Sequence, residues 1–123
     1  MTEKSDDAAR ILGDAAARRE RIEELPAHLR PVDLDEAYRV QSALIGQSKE
    51  DILGFKIAAT SRAGQAHIGI DHPISGQLVS SKVVMPGDTA DMHGNLMQAA
   101  EADFFFEFTS AVLPRAEPYS WQE

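Results

Sequence analysis

The chain has 123 residues, 43% of them hydrophobic, and its 12 basic and 20 acidic residues give a formal net charge of −8 at pH 7. That charge disfavours nucleic acid and anionic membrane surfaces as partners, and no apolar run approaches the roughly 18 residues of a membrane-spanning helix. The absence of cysteine excludes disulfides and thiolate sites, so a metal ligand must be carboxylate, carbonyl or imidazole. The charged N-terminus also lacks the apolar stretch of a signal peptide, so the default expectation is a cytoplasmic protein.

Two amphipathic helices are predicted in the first 50 residues. Apolar residues recur at helical spacing over residues 6–24, and Pro26 ends the pattern because the residue before a proline is pushed out of the helical region. Asp33, with Glu36 three residues later, forms a capping pair that opens a second helix, which reaches about Gly46. Both helices are expected to be packing elements.

The pattern changes from helical spacing to alternation at residue 52. Residues 52–59 predict a strand with larger apolar side chains on one face and Lys56 among small residues on the other. Lys56 can extend into solvent or face a substrate, and its spacing leaves both roles open. A second strand is predicted over residues 76–84, whereas residues 60–69 fit either a loop or a short helix.

Turn-forming residues occupy positions 69–73, with the sequence GIDHP. Asp71 has an ordinary role there, as a turn residue that accepts hydrogen bonds from backbone amides. Neither His72 nor His93 has a second histidine at metal-ligand spacing, so both are interpreted as loop histidines. The glycines form no phosphate-binding loop.

Residues 101–108, with the sequence EADFFFEF, alternate in a way that is typical of a strand. An extended chain places Phe104, Phe106 and Phe108 on one face and the carboxylates of Glu101 and Asp103 on the other. We therefore predict a strand that buries its phenylalanines. The two carboxylates can bind one hard cation, Mg²⁺ or Mn²⁺, through oxygen. The same spacing also describes a solvated acidic face on a half-buried strand.

The end of the sequence carries a helix-opening signal. Ser120 and Glu123 have the spacing of a capping box, but no helix follows them. We therefore expect residues 1–50 to be a helical region and residues 51–123 to be the first part of a β-rich catalytic domain that continues further. A frayed tail is the alternative.

Several short motifs occur in a specific order and spacing. They are AYRVQ at 37–41, GFKIAATS at 54–61, Gln65, GIDHP at 69–73, GQL at 76–78 and EAD at 101–103. In this succession the chain, from about residue 34 onward, resembles the 2-keto-4-pentenoate hydratase family of the fumarylacetoacetate hydrolase superfamily. The sequence departs from that family at Ala58, which replaces a common glycine.

The resemblance implies an α+β fold in which N-terminal helices precede part of a mixed β roll of the fumarylacetoacetate hydrolase type. It implies that Glu101 and Asp103 bind Mg²⁺ or Mn²⁺, and that a third carboxylate lies beyond this sequence. Residues 1–123 alone are therefore expected to be inactive. Asp103 is shorter than the glutamate of many relatives, which affects its distance to a metal. The full-length protein is expected to be a homo-oligomer.

The implied activity is the addition of water to 2-hydroxypenta-2,4-dienoate, a step in the degradation of aromatic rings through meta-cleavage. By the same resemblance, Lys56 and Asp71 are catalytic, and Thr60 and Ser61 bind the small 2-oxo acid. Lys56 would act on the substrate oxyanion, so Lys56→Met is expected to slow the reaction at unchanged metal affinity.

Three alternatives stay open. One is an ordinary acidic α+β domain whose similarity to the family is accidental. A decarboxylase of 2-oxohex-3-enedioate in the same superfamily would use the same chelated 2-oxo acid. A truncated, non-catalytic interaction module would instead pair with intact relatives through its helices and exposed strand edges.

Overall fold

A computed structural model describes residues 3–93, 95, 99–120 and 122. It confirms the α+β class, with three helices and one two-stranded sheet in the described part of the chain. None of the described helices is long and apolar enough to cross a membrane. The elements are α1 (Glu3–Arg18), α2 (Leu34–Ser48), β1 (Ile52–Ala58), α3 (Arg62–Ile68) and β2 (Ile74–Val79), with 3₁₀ turns at Ala27–Leu29 and Ser80–Lys82.

The core lies between α1 and α2, where small side chains let the two helices approach closely. Ala8 and Ala9 of α1 pack with Val40 and Ala43 of α2, and Leu29 from the connecting 3₁₀ turn closes the cluster. Larger apolar residues surround it and are only partly buried. Among the described residues no large side chain is fully buried, so this core is small.

The ends of both helices differ from the sequence prediction in ways that the backbone explains. The first helix ends at Arg18 because Arg19 has the left-handed φ of 55°, and the amides of Arg19 and Glu20 bond the last carbonyls. The Arg19 side chain then reaches Asp91, 2.8 Å away. The second helix continues past Gly46 to Ser48, and Lys49 takes the left-handed position there.

The predicted capping pair at the start of α2 is confirmed. The Oδ1 atom of Asp33 accepts a hydrogen bond from the amide of Glu36 at 2.8 Å. The Glu36 carboxylate accepts one from the amide of Val32 at 3.0 Å and forms an ion pair with Lys4 of α1 at 2.6 Å. These contacts, led by the bond from Lys4, lower the pKa of Glu36. The cap therefore also ties the two helices together.

Strands β1 and β2 pair antiparallel, and α3 lies in their connection. Ile57 is opposite Ser75 and Lys56 is opposite Gly76, with an irregularity in register between Ile52 and Gly54. The sequence allowed either a loop or a short helix at residues 60–69, and the structure has helix α3 there. It ends at Gly69, whose φ of 74° lies in the left-handed region that glycine adopts without strain.

Helix α2 covers the outer edge of β2 through two side chains. The amide of Ser75 donates to the hydroxyl of Tyr38 at 3.0 Å, and the Nε2 atom of Gln41 donates to the carbonyl of Ser75 at 3.2 Å. Both backbone groups of Ser75 thus bond to α2 rather than to β1. Tyr38 and Gln41, which belong to the family-like motif at 37–41, therefore attach the helical region to the sheet.

The predicted strand at 76–84 begins and ends earlier than expected. It spans Ile74–Val79, and the chain turns into a 3₁₀ helix at Ser80. The amide of Ser80 bonds to the carbonyl of Asp51 just before β1, which marks the end of the ladder.

The prediction of a strand over residues 101–108 is wrong in this structure. The segment has no regular structure, and Phe104 and Phe106 are 95% and 77% exposed. Alternation defines which side chains share a face, but a strand also needs a neighbour that bonds its backbone, and the described sheet contains only β1 and β2. Two residues of the predicted terminal capping motif, Trp121 and Glu123, lie outside the described residues.

The exposure of the phenylalanines predicts a contrast in stability. Phe106→Ala should change the free energy of unfolding by less than about 0.5 kcal/mol, as at most surface positions. Leu29→Ala, which empties part of the buried cluster, should lose about 2 kcal/mol or more. Denaturant melts followed by circular dichroism measure both values. A loss at Phe106 as large as that at Leu29 would restore the buried-strand assignment.

Candidate functional site

The candidate site is centred on Lys56, in the middle of β1. Directly opposite residues of an antiparallel pair share a face, so Lys56 lies beside Gly76 of β2. No atom lies within 4 Å of the position that a Cβ would take at Gly76. The lysine side chain is 43% exposed and has space around its stem. Lys56 therefore lies beside a small residue in the fold, as the sequence predicts.

Two carboxylates from a distant part of the sequence contact this lysine. The Nζ atom of Lys56 lies 3.1 Å from Oε2 of Glu101 and also forms an ion pair and hydrogen bond with Oδ2 of Asp103. The lysine and Asp103 are 47 residues apart in the chain. The structure thus brings together three of the predicted site residues, even though the segment carrying the carboxylates is not a strand.

These contacts favour the protonated form of Lys56. The hydrogen bond to Asp103 is the main cause that raises the pKa of the Lys56 ammonium above its ordinary value, and the bond to Glu101 adds to it. Because all three side chains are substantially exposed, water screens the attraction. Lys56 is consequently a cation and a hydrogen-bond donor at neutral pH, not a base.

A cleft of about 330 Å³ opens beside the ammonium group and is lined by Lys56, Asn95, Ala99 and Glu101. Sequence reasoning did not single out Asn95 or Ala99, because residues 90–99 carry no periodic pattern or motif. A second cleft, of about 470 Å³, lies along α2 and contains none of the predicted site residues.

The donors available for a metal ion are the carboxylates of Glu101 and Asp103. Within residues 3–93, 95, 99–120 and 122, no group of three or more histidine, aspartate or glutamate side chains is arranged to hold a metal ion. Both carboxylates do already engage one cation, the ammonium group of Lys56. Two carboxylates suit Mg²⁺, which commonly keeps several water ligands.

Asp71 lies in the loop before β2 and is paired with its neighbour. Its Oδ1 atom is 2.6 Å from Nδ1 of His72, and this hydrogen bond is the main cause that lowers the pKa of Asp71. In the described part of the chain, the hydrogen bonds and ion pairs of Asp71 do not reach Lys56. An aspartate with a lowered pKa is a weak proton acceptor at neutral pH.

Ser61, predicted with Thr60 to bind substrate, caps helix α3. Its hydroxyl oxygen accepts a hydrogen bond from the amide of Gly64 at 3.1 Å. The Nε2 atom of Gln65 donates to the carbonyl of Ala59 at 3.0 Å, which holds the turn that carries Thr60. The geometry gives Ser61 a structural role, and substrate binding by Thr60 and Ser61 stays a prediction.

No protein-family model matches the chain, and neither the curated proteins nor the solved structures give a significant match. The resemblance to the hydratases therefore rests on the order of the short motifs, and membership of that family stays a proposal.

The contacts of Lys56 predict a specific change in its titration. Asp103→Asn should lower the pKa of Lys56 toward the ordinary lysine value of about 10.4, and Glu101→Gln should lower it less. Carbon-13 NMR of the lysine Cε position, followed against pH, measures both shifts. An unchanged Lys56 titration in both variants would contradict the observed pairing.

The direction of this pKa shift also sets the pH range in which the pairing stabilises the fold. The pKa of Lys56 is higher in the folded chain than in the unfolded chain. The pairing therefore contributes stability below the ordinary lysine pKa, and that contribution is lost as the pH rises through the folded-state value.

Proposed function

We propose that this chain contributes Lys56, Glu101 and Asp103 to the site of a divalent-metal-dependent hydratase that adds water to 2-hydroxypenta-2,4-dienoate. The observation that carries the proposal is the contact of one lysine with two acidic residues that are more than 40 positions away. The motif order had selected these same three residues. Their contact in the fold supports grouping them in one site.

The residues fit Mg²⁺ or Mn²⁺ by their chemistry. Glu101 and Asp103 would hold the ion through oxygen, and their shared contact with the Lys56 ammonium supports placing one positive charge between them. When bound, such an ion supplies positive charge that stabilises a developing enolate oxygen of a 2-oxo acid.

Lys56 has the properties of a substrate-binding and oxyanion-stabilising group. It is protonated at neutral pH and borders the cleft that Asn95 and Ala99 also line. Its ammonium group can donate hydrogen bonds to the substrate carboxylate or to the oxygen at C2. Once the C2 hydroxyl has released its proton to solvent, holding that oxygen as an anion lets C5 take up a proton, which leaves an unsaturated ketone. Water then adds its oxygen at C4 and a proton at C3.

Asp71, which the resemblance makes catalytic, is ionised at neutral pH and can accept a hydrogen bond from the substrate or from water, but its lowered pKa makes it a weak base. The proposal requires the loop at residues 69–73, which carries Asp71, to border the same substrate as Lys56.

The decarboxylase alternative uses the same three residues. The two reactions differ in product: a hydratase releases no gas, whereas a decarboxylase acting on 2-oxohex-3-enedioate releases carbon dioxide. Supplying each substrate separately, and measuring carbon dioxide beside the loss of dienol absorbance, separates them.

The interaction-module alternative is favoured by a different observation. Phe104, Phe105, Phe106 and Phe108 form an exposed apolar run that a partner could cover. Light scattering over a range of protein concentrations would detect self-association, including the homo-oligomer that the resemblance implies. The interaction module would be favoured if Phe106→Ser abolished self-association and the wild-type protein had no catalytic activity.

The hydratase proposal predicts metal-dependent turnover. The full-length protein should consume 2-hydroxypenta-2,4-dienoate, measured by the fall in ultraviolet absorbance, only with Mg²⁺ or Mn²⁺ present. Glu101→Gln and Asp103→Asn should each slow turnover by about 100-fold or more, because each removes a charged metal ligand. Glu107→Gln, which changes a nearby exposed carboxylate, is the matched control and should leave the rate unchanged.

Two results would count against this function. Full activity in Glu101→Gln would remove the metal assignment, and activity that resists a chelator would remove the metal dependence.

A further inference from the structure

We propose that Lys56 acts as an internal counter-cation that a divalent ion must displace from Glu101 and Asp103 in order to bind. The inference rests on the proposed function, because it assigns those two carboxylates to the metal. It adds a regulatory feature of the same site: the lysine and the metal compete for the same oxygens.

The competition follows from the atoms involved. The ammonium group contacts Oε2 of Glu101 and Oδ2 of Asp103 together, so it occupies the space between the two donors. A divalent ion held by both carboxylates needs that space. Two cations at contact distance also repel each other strongly, and the lysine must therefore move away as the metal enters.

The surroundings of Lys56 permit this movement. Its side chain is long and flexible, nearly half exposed, and opposite a glycine whose Cβ position is clear of other atoms. The ion pairs are also exposed, and pairs of this kind are individually weak. Displacement consequently requires no change in the strands.

The displaced ammonium becomes available to the substrate. In the metal-free protein its charge is directed at Glu101 and Asp103, whereas after metal binding it can pair with an anionic oxygen of the 2-oxo acid in the adjoining cleft. Metal binding thus prepares Lys56 for substrate, which gives an order of binding with the metal first.

Metal titrations test the exchange directly. Lys56→Met keeps an unbranched, flexible side chain but removes the competing charge, so it should bind Mn²⁺ about tenfold more tightly than the wild type, equivalent to about 1.4 kcal/mol. Lys82→Met removes one positive charge at another exposed position and should leave the affinity unchanged. Calorimetry or the Mn²⁺ electron paramagnetic resonance signal gives the dissociation constants. This expectation replaces the unchanged affinity that the sequence alone predicts for Lys56→Met.

A second measurement follows the lysine itself. Adding Mg²⁺ to the wild type should shift the NMR signals of the Lys56 Cε group, and the shift should disappear in a Glu101→Gln, Asp103→Asn double variant. Equal Mn²⁺ affinity in the wild type and Lys56→Met would overturn the exchange while leaving the metal site in place. Failure of every variant to bind Mn²⁺ would overturn both the exchange and the proposed function.

Discussion

The pairing of one ammonium group with two carboxylates positions the acidic segment beside the sheet. Residues 99–120 have no regular structure, so their placement depends on individual contacts rather than on a backbone ladder. The contacts of Lys56 with Glu101 and Asp103 supply such an attachment. They also partly neutralise a local excess of negative charge in a chain whose net charge is −8. The site and the position of this segment therefore have the same physical origin.

The rest of the fold explains why this site is open. The buried residues are concentrated between α1 and α2, and α2 covers the outer edge of β2 through Tyr38 and Gln41. Strand β1 has β2 as its single neighbour among the described strands, and Phe55 and Ile57 remain exposed on it. A two-stranded sheet gains little stability by itself, so the hairpin depends on its attachment to the helices.

Local chemistry made part of this structure predictable. The Asp33 cap can be recognised within a few residues of sequence, because Asp33 and Glu36 are only three positions apart. The alternation that places Lys56 on a small-residue face is equally local. The end of α1 depended on Arg19 adopting a left-handed backbone, which composition does not reveal for an arginine. Residues 101–108 alternate like a strand but have no partner strand in the described sheet, and the local sequence does not reveal whether a partner strand is present. The meeting of Lys56 with Glu101 and Asp103 was expected only through the resemblance, because contacts across more than 40 residues depend on the tertiary fold.

Carbodiimide coupling is the most direct measurement of the central contact, because this reagent joins an amine to a carboxylate only when the two are already in contact. Peptide mass spectrometry should find an amide bond between Lys56 and Glu101 or Asp103. The ion pair of Lys4 with Glu36, at 2.6 Å, is an internal positive control in the same sample. Coupling of both pairs would support the account. Coupling of Lys4 to Glu36 without any product from Lys56 would contradict it.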